Sequence, residues 1–67
     1  MIVKSYNEFE KLFIGENKDC VKIADGVKAF WVHNRERNET CIGIFINEKC
    51  IIEVFPETIF EIVIEGF

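Results

Sequence analysis

The 67-residue chain contains one proline, one serine, one histidine and three cysteines, and it has no long apolar run. Each scarcity excludes something. No stretch approaches the roughly 18 to 20 apolar residues that cross a bilayer, and Met1-Ile2-Val3-Lys4-Ser5 lacks the basic segment and long apolar stretch of a secretion signal. A cytoplasmic location with no membrane contact is expected. An odd number of cysteines in such a context predicts reduced thiols at Cys20, Cys41 and Cys50 and no disulfide framework. A single serine and a single histidine leave little for nucleophilic catalysis, because Ser5 is better placed to cap a helix than to attack a substrate.

Basic clusters are also missing. The chain holds 12 acidic and 8 basic side chains, for a net charge of −4. Residues 1 to 47 balance seven acids with seven bases, so the whole surplus falls in residues 48 to 67, where five glutamates face Lys49 alone. Such a segment repels phosphate backbones, and nucleic-acid binding is not expected.

What is present is apolar material, at 49% of the residues including seven phenylalanines. That is enough for folding and too much for disorder. Residues 1–67 form one small domain. A chain of this length buries only about 60% of the surface it would expose unfolded, so its core is marginal unless something adds to it. With no disulfides, self-association is the expected addition, as a homodimer.

The local patterns define the elements. Ser5-Tyr6-Asn7-Glu8 fits a capping box, so a helix starts at Tyr6 and presents Tyr6, Phe9, Leu12 and Phe13 on one face until Gly15 stops it. From Asp19 the period changes to two. Val21 and Ile23, then Val27, Ala29 and Trp31, alternate with Lys22, Lys28, Phe30 and Val32, and Asp25-Gly26 between them predicts a type I′ hairpin turn with positive φ at both residues. Thr40 to Ile46 alternates Thr40, Ile42, Ile44 and Ile46 with Cys41, Gly43 and Phe45. Asn47-Glu48-Lys49 reads as the next turn, leading to Cys50 to Phe55. Pro56 interrupts the ladder before a fifth strand, Thr58 to Ile64, with Thr58, Phe60, Ile62 and Ile64 inward.

The expected fold class is α+β, a short N-terminal helix packed on a four- to five-stranded antiparallel sheet built as a meander of hairpins. One nine-residue helix covers one face. Because Phe45, Ile51, Phe55, Ile59 and Val63 fall opposite the Ile42, Ile44, Ile52 and Ile62 set, both faces are apolar. Either the sheet curls into a small barrel or a second subunit covers the second face, and the second subunit is the expectation.

Three candidate sites follow. Glu53, Glu57, Glu61 and Glu65, with Ile59 and Val63 between them, form an apolar patch with an acidic rim that suits a basic or apolar protein surface. Trp31, His33, Arg35 and Arg37 combine an aromatic plane with cations that grip phosphate or carboxylate, and so suit a small anionic or nucleotide-like ligand. Cys41 with His33 offers the residue types of a thiol enzyme, and the three cysteines with His33 those of a zinc module. Their spacings of 12, 7 and 8 intervening residues contain no paired knuckle, so neither a metal nor any other cofactor is expected.

In size and composition the chain is similar to the accessory inhibitors that bacteriophages and other mobile elements make. The expected function is a non-enzymatic binding protein that blocks a host protein through the acidic-rimmed patch. Sequestration of a small anion through the Trp31 region is the alternative, and the thiol enzyme or zinc module comes after it.

Overall fold

A computed structural model describes residues 1–15 and 19–65. After a two-residue strand β1 (Ile2–Val3), helix α1 runs over Tyr6–Gly15. Ser5 caps it as the sequence predicts. Its Oγ accepts the Glu8 N–H at 3.2 Å and donates to Glu8 Oε1 at 3.1 Å, while that carboxylate also accepts the Lys4 N–H at 3.3 Å. The reciprocal pairing satisfies donors that a helix start otherwise leaves orphaned. Phe9 and Phe13 are buried on the inner face of α1, with Tyr6 and Leu12 packed at its margin.

Four strands follow as an antiparallel meander in spatial order β2 (Cys20–Ala24), β3 (Val27–Asn34), β4 (Glu39–Ile46) and β5 (Lys49–Val54). Register lines up Val21, Ala29, Ile44 and Ile52 across the sheet, and beside them Trp31, Ile42 and Val54. These rows face α1. The intervening rows, Cys20, Phe30, Gly43 and Glu53, then Lys22, Lys28, Phe45 and Cys50, form the outer face. The fold is therefore α+β with one short helix on one side of a four-stranded sheet.

Three expectations are corrected. The turn with both central residues at positive φ is Asn47–Glu48 (49° and 71°), whereas at Asp25–Gly26 only Gly26 is left-handed (73°). Without a primed turn to match the strand twist, the β2–β3 ladder slips between Lys22 and Ala24, leaving Ile23 without a partner in β3. The fifth strand is also shorter than Thr58 to Ile64 and pairs elsewhere: β6 covers only Ile62–Val63 and joins β1 in a separate two-stranded sheet, Ile2 opposite Val63. A tight turn at Pro56 explains the departure. Phe55 donates its N–H to Thr58 Oγ1 at 2.9 Å and Thr58 donates back to the Phe55 carbonyl at 3.0 Å, which takes the chain off the β5 edge.

The chain then crosses the inner side beside α1, placing Phe60 6.1 Å from Phe9 and burying Ile64. At Glu65 it has reached the opposite edge, where the Glu65 N–H is donated to the Ile23 carbonyl at 2.8 Å. The helix does not cover its face alone, because residues 58–64 share the layer with it. The third correction follows. The sheet does not close into a barrel, since β2 and β5 remain separate edges and the segment that would have joined them lies in the second layer.

Candidate functional site

The alternation of β3 decides the fate of the aromatic and basic cluster. Trp31 points to the inner face, its ring 5.0 Å from Phe13 and edge-on to Tyr6 at 6.4 Å, where it closes one end of the core. His33 is exposed further along the same face, opposite Thr40, and Arg35 is exposed in the turn that follows. Arg37 goes the other way. Its N–H is accepted by Asn34 Oδ1 at 2.8 Å, and its guanidinium lies 3.9 Å over the Phe55 ring with Nε 2.6 Å from Glu39 and a second nitrogen bonded to Glu57. Trp31 and Arg37 are thus on opposite faces of the sheet. The structure does not bring the four residues into one pocket, and two carboxylates and a ring already occupy Arg37.

The acidic set divides in two. Glu53 Oε2 accepts from Asn34 Nδ2 at 2.9 Å and from the Cys41 thiol at 3.2 Å, and these bonds hold its carboxyl below the usual range. Glu57 is lowered in the same way by its bond from Arg37. Both belong to a network on the outer face. Ile59, Glu61, Val63 and Glu65 are on the other side of the Pro56 turn, all exposed, alternating with the inward Thr58, Phe60, Ile62 and Ile64. Ile59 is 98% exposed, Val63 60% and its neighbour Ile2 52%. The alternation read from the sequence holds here although residues 58–61 are not a strand.

Register puts Cys20, Cys41 and Cys50 on the outer face, away from His33. Neither a Cys41–His33 pair nor a three-cysteine and histidine cluster converges. Among the described residues no group of three or more His, Cys, Asp or Glu is arranged to hold a metal ion. Cys41 is fully buried, and burial, reinforced by its hydrogen bond to Glu53, pushes its thiol up to about 12. It packs and donates as a neutral group.

The outer face also holds an aromatic pair outside the three candidate sites. Phe30 and Phe45 meet edge to face at 5.4 Å. The Phe45 ring and Val32 lie over Gly43, where an added Cβ would come within 3.0 Å of Phe45 and 3.2 Å of Val32. Glycine is what leaves room for the Phe45 ring and Val32 to pack this closely over the strand. An open pocket of about 330 Å³ borders the pair, lined by Gly26, Lys28, Phe30, Phe45, Asn47 and Glu48. The signal was the two-residue period of β3, which places Lys28, Phe30 and Val32 together opposite Ala29 and Trp31. Ile2 carried no such signal, because a two-residue strand has no readable period.

No helix among the described residues is long and apolar enough to cross a membrane. Compared with protein-family models, with curated proteins and with solved structures, the chain matches none.

Proposed function

We propose that this protein is a non-enzymatic binding protein that docks on a basic, partly apolar protein surface through Ile59, Glu61, Val63 and Glu65 and thereby blocks it. Inhibitors of host proteins made by bacteriophages and other mobile elements act in this manner, and the small, acidic chain suits that role. The observation that carries the reading is the exposure of Ile59 at 98%, with Val63 and Ile2 more than half exposed nearby. Core formation has no use for these side chains where they stand. Burying an exposed aliphatic side chain of this size against a partner contributes on the order of 1.5–3 kcal/mol. The neighbouring glutamates add charge complementarity to a basic partner, raising the association rate and setting orientation.

The test is capture from a lysate of the cell in which the protein normally acts, with immobilised wild type beside Ile59→Asp, a Glu61→Lys/Glu65→Lys double variant and an Arg35→Ala/Arg37→Ala double variant. The expected result is one basic protein retained by wild type and by the arginine variant, and lost from both stripe variants. Retention that ignores the stripe substitutions, or no specific retention at all, overturns the reading.

A further inference from the structure

We infer that the pocket bordered by Phe30 and Phe45 on the outer face binds a guanine mononucleotide. The site is separate from the C-terminal stripe, so the two readings stand or fall independently. Two hairpin turns build its end. Asn47 donates its N–H to the Gly26 carbonyl at 3.2 Å, tying the β4–β5 turn to the β2–β3 turn. Gly26, at a φ of 73°, carries no side chain to fill the space, and Asn47 Oδ1 lies 3.4 Å from where its Cβ would stand. Further along the strands the Phe30 and Phe45 rings stand 5.4 Å apart at 89° to each other. A planar ring stacked on one of them meets the other edge-on, and both arrangements are favoured between aromatics. The volume of about 330 Å³ falls at the lower end of the roughly 300–1,000 Å³ that small-molecule sites occupy.

Three polar side chains define what that ring must carry. Lys28 is the register partner of Phe45, and among the described residues it makes no ion pair. Lys22, directly opposite Lys28 on β2, is held by Asp25 at 3.2 Å. Like charges so placed destabilise a sheet, and an anion bound at Lys28 offsets that repulsion. Glu48 lies on the far side of β4, on the turn with Asn47. The ligand's anion and the group it offers to Glu48 are therefore at opposite ends of the ring, as in a nucleotide and not in a free amino acid, whose two charges share one carbon. An ionised carboxylate only accepts, and its two oxygens suit a pair of parallel N–H donors. Guanine presents that pair, N1–H beside the 2-amino group, with O6 next to them for the Asn47 amide. Adenine offers one donor beside an acceptor that a carboxylate repels. The phosphate then falls to Lys28.

Backbone strain points to the same carboxylate. A two-residue turn with both φ values positive accepts asparagine readily at its first position and favours glycine at its second. Here the second position is Glu48, at a φ of 71°. Its side chain is present at a cost to the turn, on the rim of the pocket, and strain of this kind gathers at ligand clamps.

The test is a titration of isotopically labelled protein, followed by amide chemical shifts, with guanosine 5′-monophosphate, adenosine 5′-monophosphate, guanosine and inorganic phosphate as probes. The guanine nucleotide should move the amides of Gly26, Lys28, Phe30, Phe45, Asn47 and Glu48 and bring its H8 proton into contact with the Phe rings. The Trp31 indole, on the inner face, should not move. Lys28→Ala should weaken binding of the guanine nucleotide by about tenfold or more, and guanosine should bind wild type more weakly by a similar factor. Glu48→Gly should also weaken it by about tenfold or more while raising the urea midpoint, which separates lost binding from lost folding. Ile59→Asp should bind it as wild type does. No response at millimolar guanine nucleotide, an equal response to the adenine nucleotide or to inorganic phosphate, or undiminished binding by Glu48→Gly would overturn the inference.

Discussion

The Cys41 thiol donates to Glu53 Oε2 at 3.2 Å from a fully buried position, and Asn34 Nδ2 donates to the same oxygen at 2.9 Å. One carboxylate thereby ties β3, β4 and β5 together on the outer face. Burial, reinforced by a bond that only the protonated thiol can donate, raises Cys41 to about 12.

Thiol labelling should separate the three cysteines. With iodoacetamide near neutral pH, Cys50 is expected to react readily, Cys20 more slowly, and Cys41 only after unfolding, in keeping with their exposed, half-buried and buried positions. Peptide mapping of labelled native protein checks this. Labelling of Cys41 at the rate of Cys50 would contradict the burial that the fold assigns to it.

Cys41 also gives a stability signature in alkali. A folded-state thiol raised above its ordinary value near 9 contributes stability that is complete below that value and is lost as pH rises toward about 12. Urea midpoints measured at a fixed protein concentration should fall across that window in wild type and fall less steeply in Cys41→Ala.

In acid the signs reverse. Glu53 and Glu57 are both held below the ordinary carboxylate value of 4.5, so the stability they add is present above it and disappears as pH falls through their lowered folded values. Glu53→Gln and Glu57→Gln should each flatten the acid limb of the stability curve. Their exposure to solvent and salt makes the effect modest, and added salt should shrink it for Glu57, whose partner is the charged Arg37.

Gly43→Ala should destabilise the domain by about 1–3 kcal/mol, because the new methyl meets Phe45 and Val32 and one of them must give way. Chemical denaturation measures the loss. A change in the Phe45 ring resonances would locate it, and an unaltered stability would mean that the ring moves off the sheet at no cost.

Burial separates two substitutions that hydropathy alone would rank together. Phe9, fully buried and in ring contact with Phe13 and Phe60, should cost about 3–5 kcal/mol as alanine. Ile59→Asp, at a position 98% exposed, should stay within about 0.5 kcal/mol of wild type by the same denaturation assay. That makes it a clean probe of binding.

Much of the architecture was legible because it depends on local rules. The Ser5–Glu8 cap, the one-sided helix and the two-residue period of β3 and β4 are set by neighbours three or two positions apart, and each is observed. The inward and outward alternation of residues 57–65 was equally legible. The strand at Thr58 to Ile64 was not, because β-branched composition reports a preference for extended backbone and is silent about which edge that backbone will join. The separation of Trp31 from Arg37 was hidden for a related reason. Trp31 and Arg37 are six residues apart, but an even spacing within a strand predicts a shared face only while the strand continues, and the chain turns at Arg35.

The sequence by itself determined where the chain bends, which side chains seek the core and where the negative charge accumulates, since these follow from side-chain chemistry over a few residues. Only the tertiary structure decided that the C-terminal segment crosses the inner side to the far edge and pairs with Ile2–Val3 instead of adding a fifth strand to the sheet. Those outcomes rest on contacts between residues as far apart as Met1 and Ile64. Such contacts form only when loop closure is repaid by packing in three dimensions, and no local pattern encodes that balance.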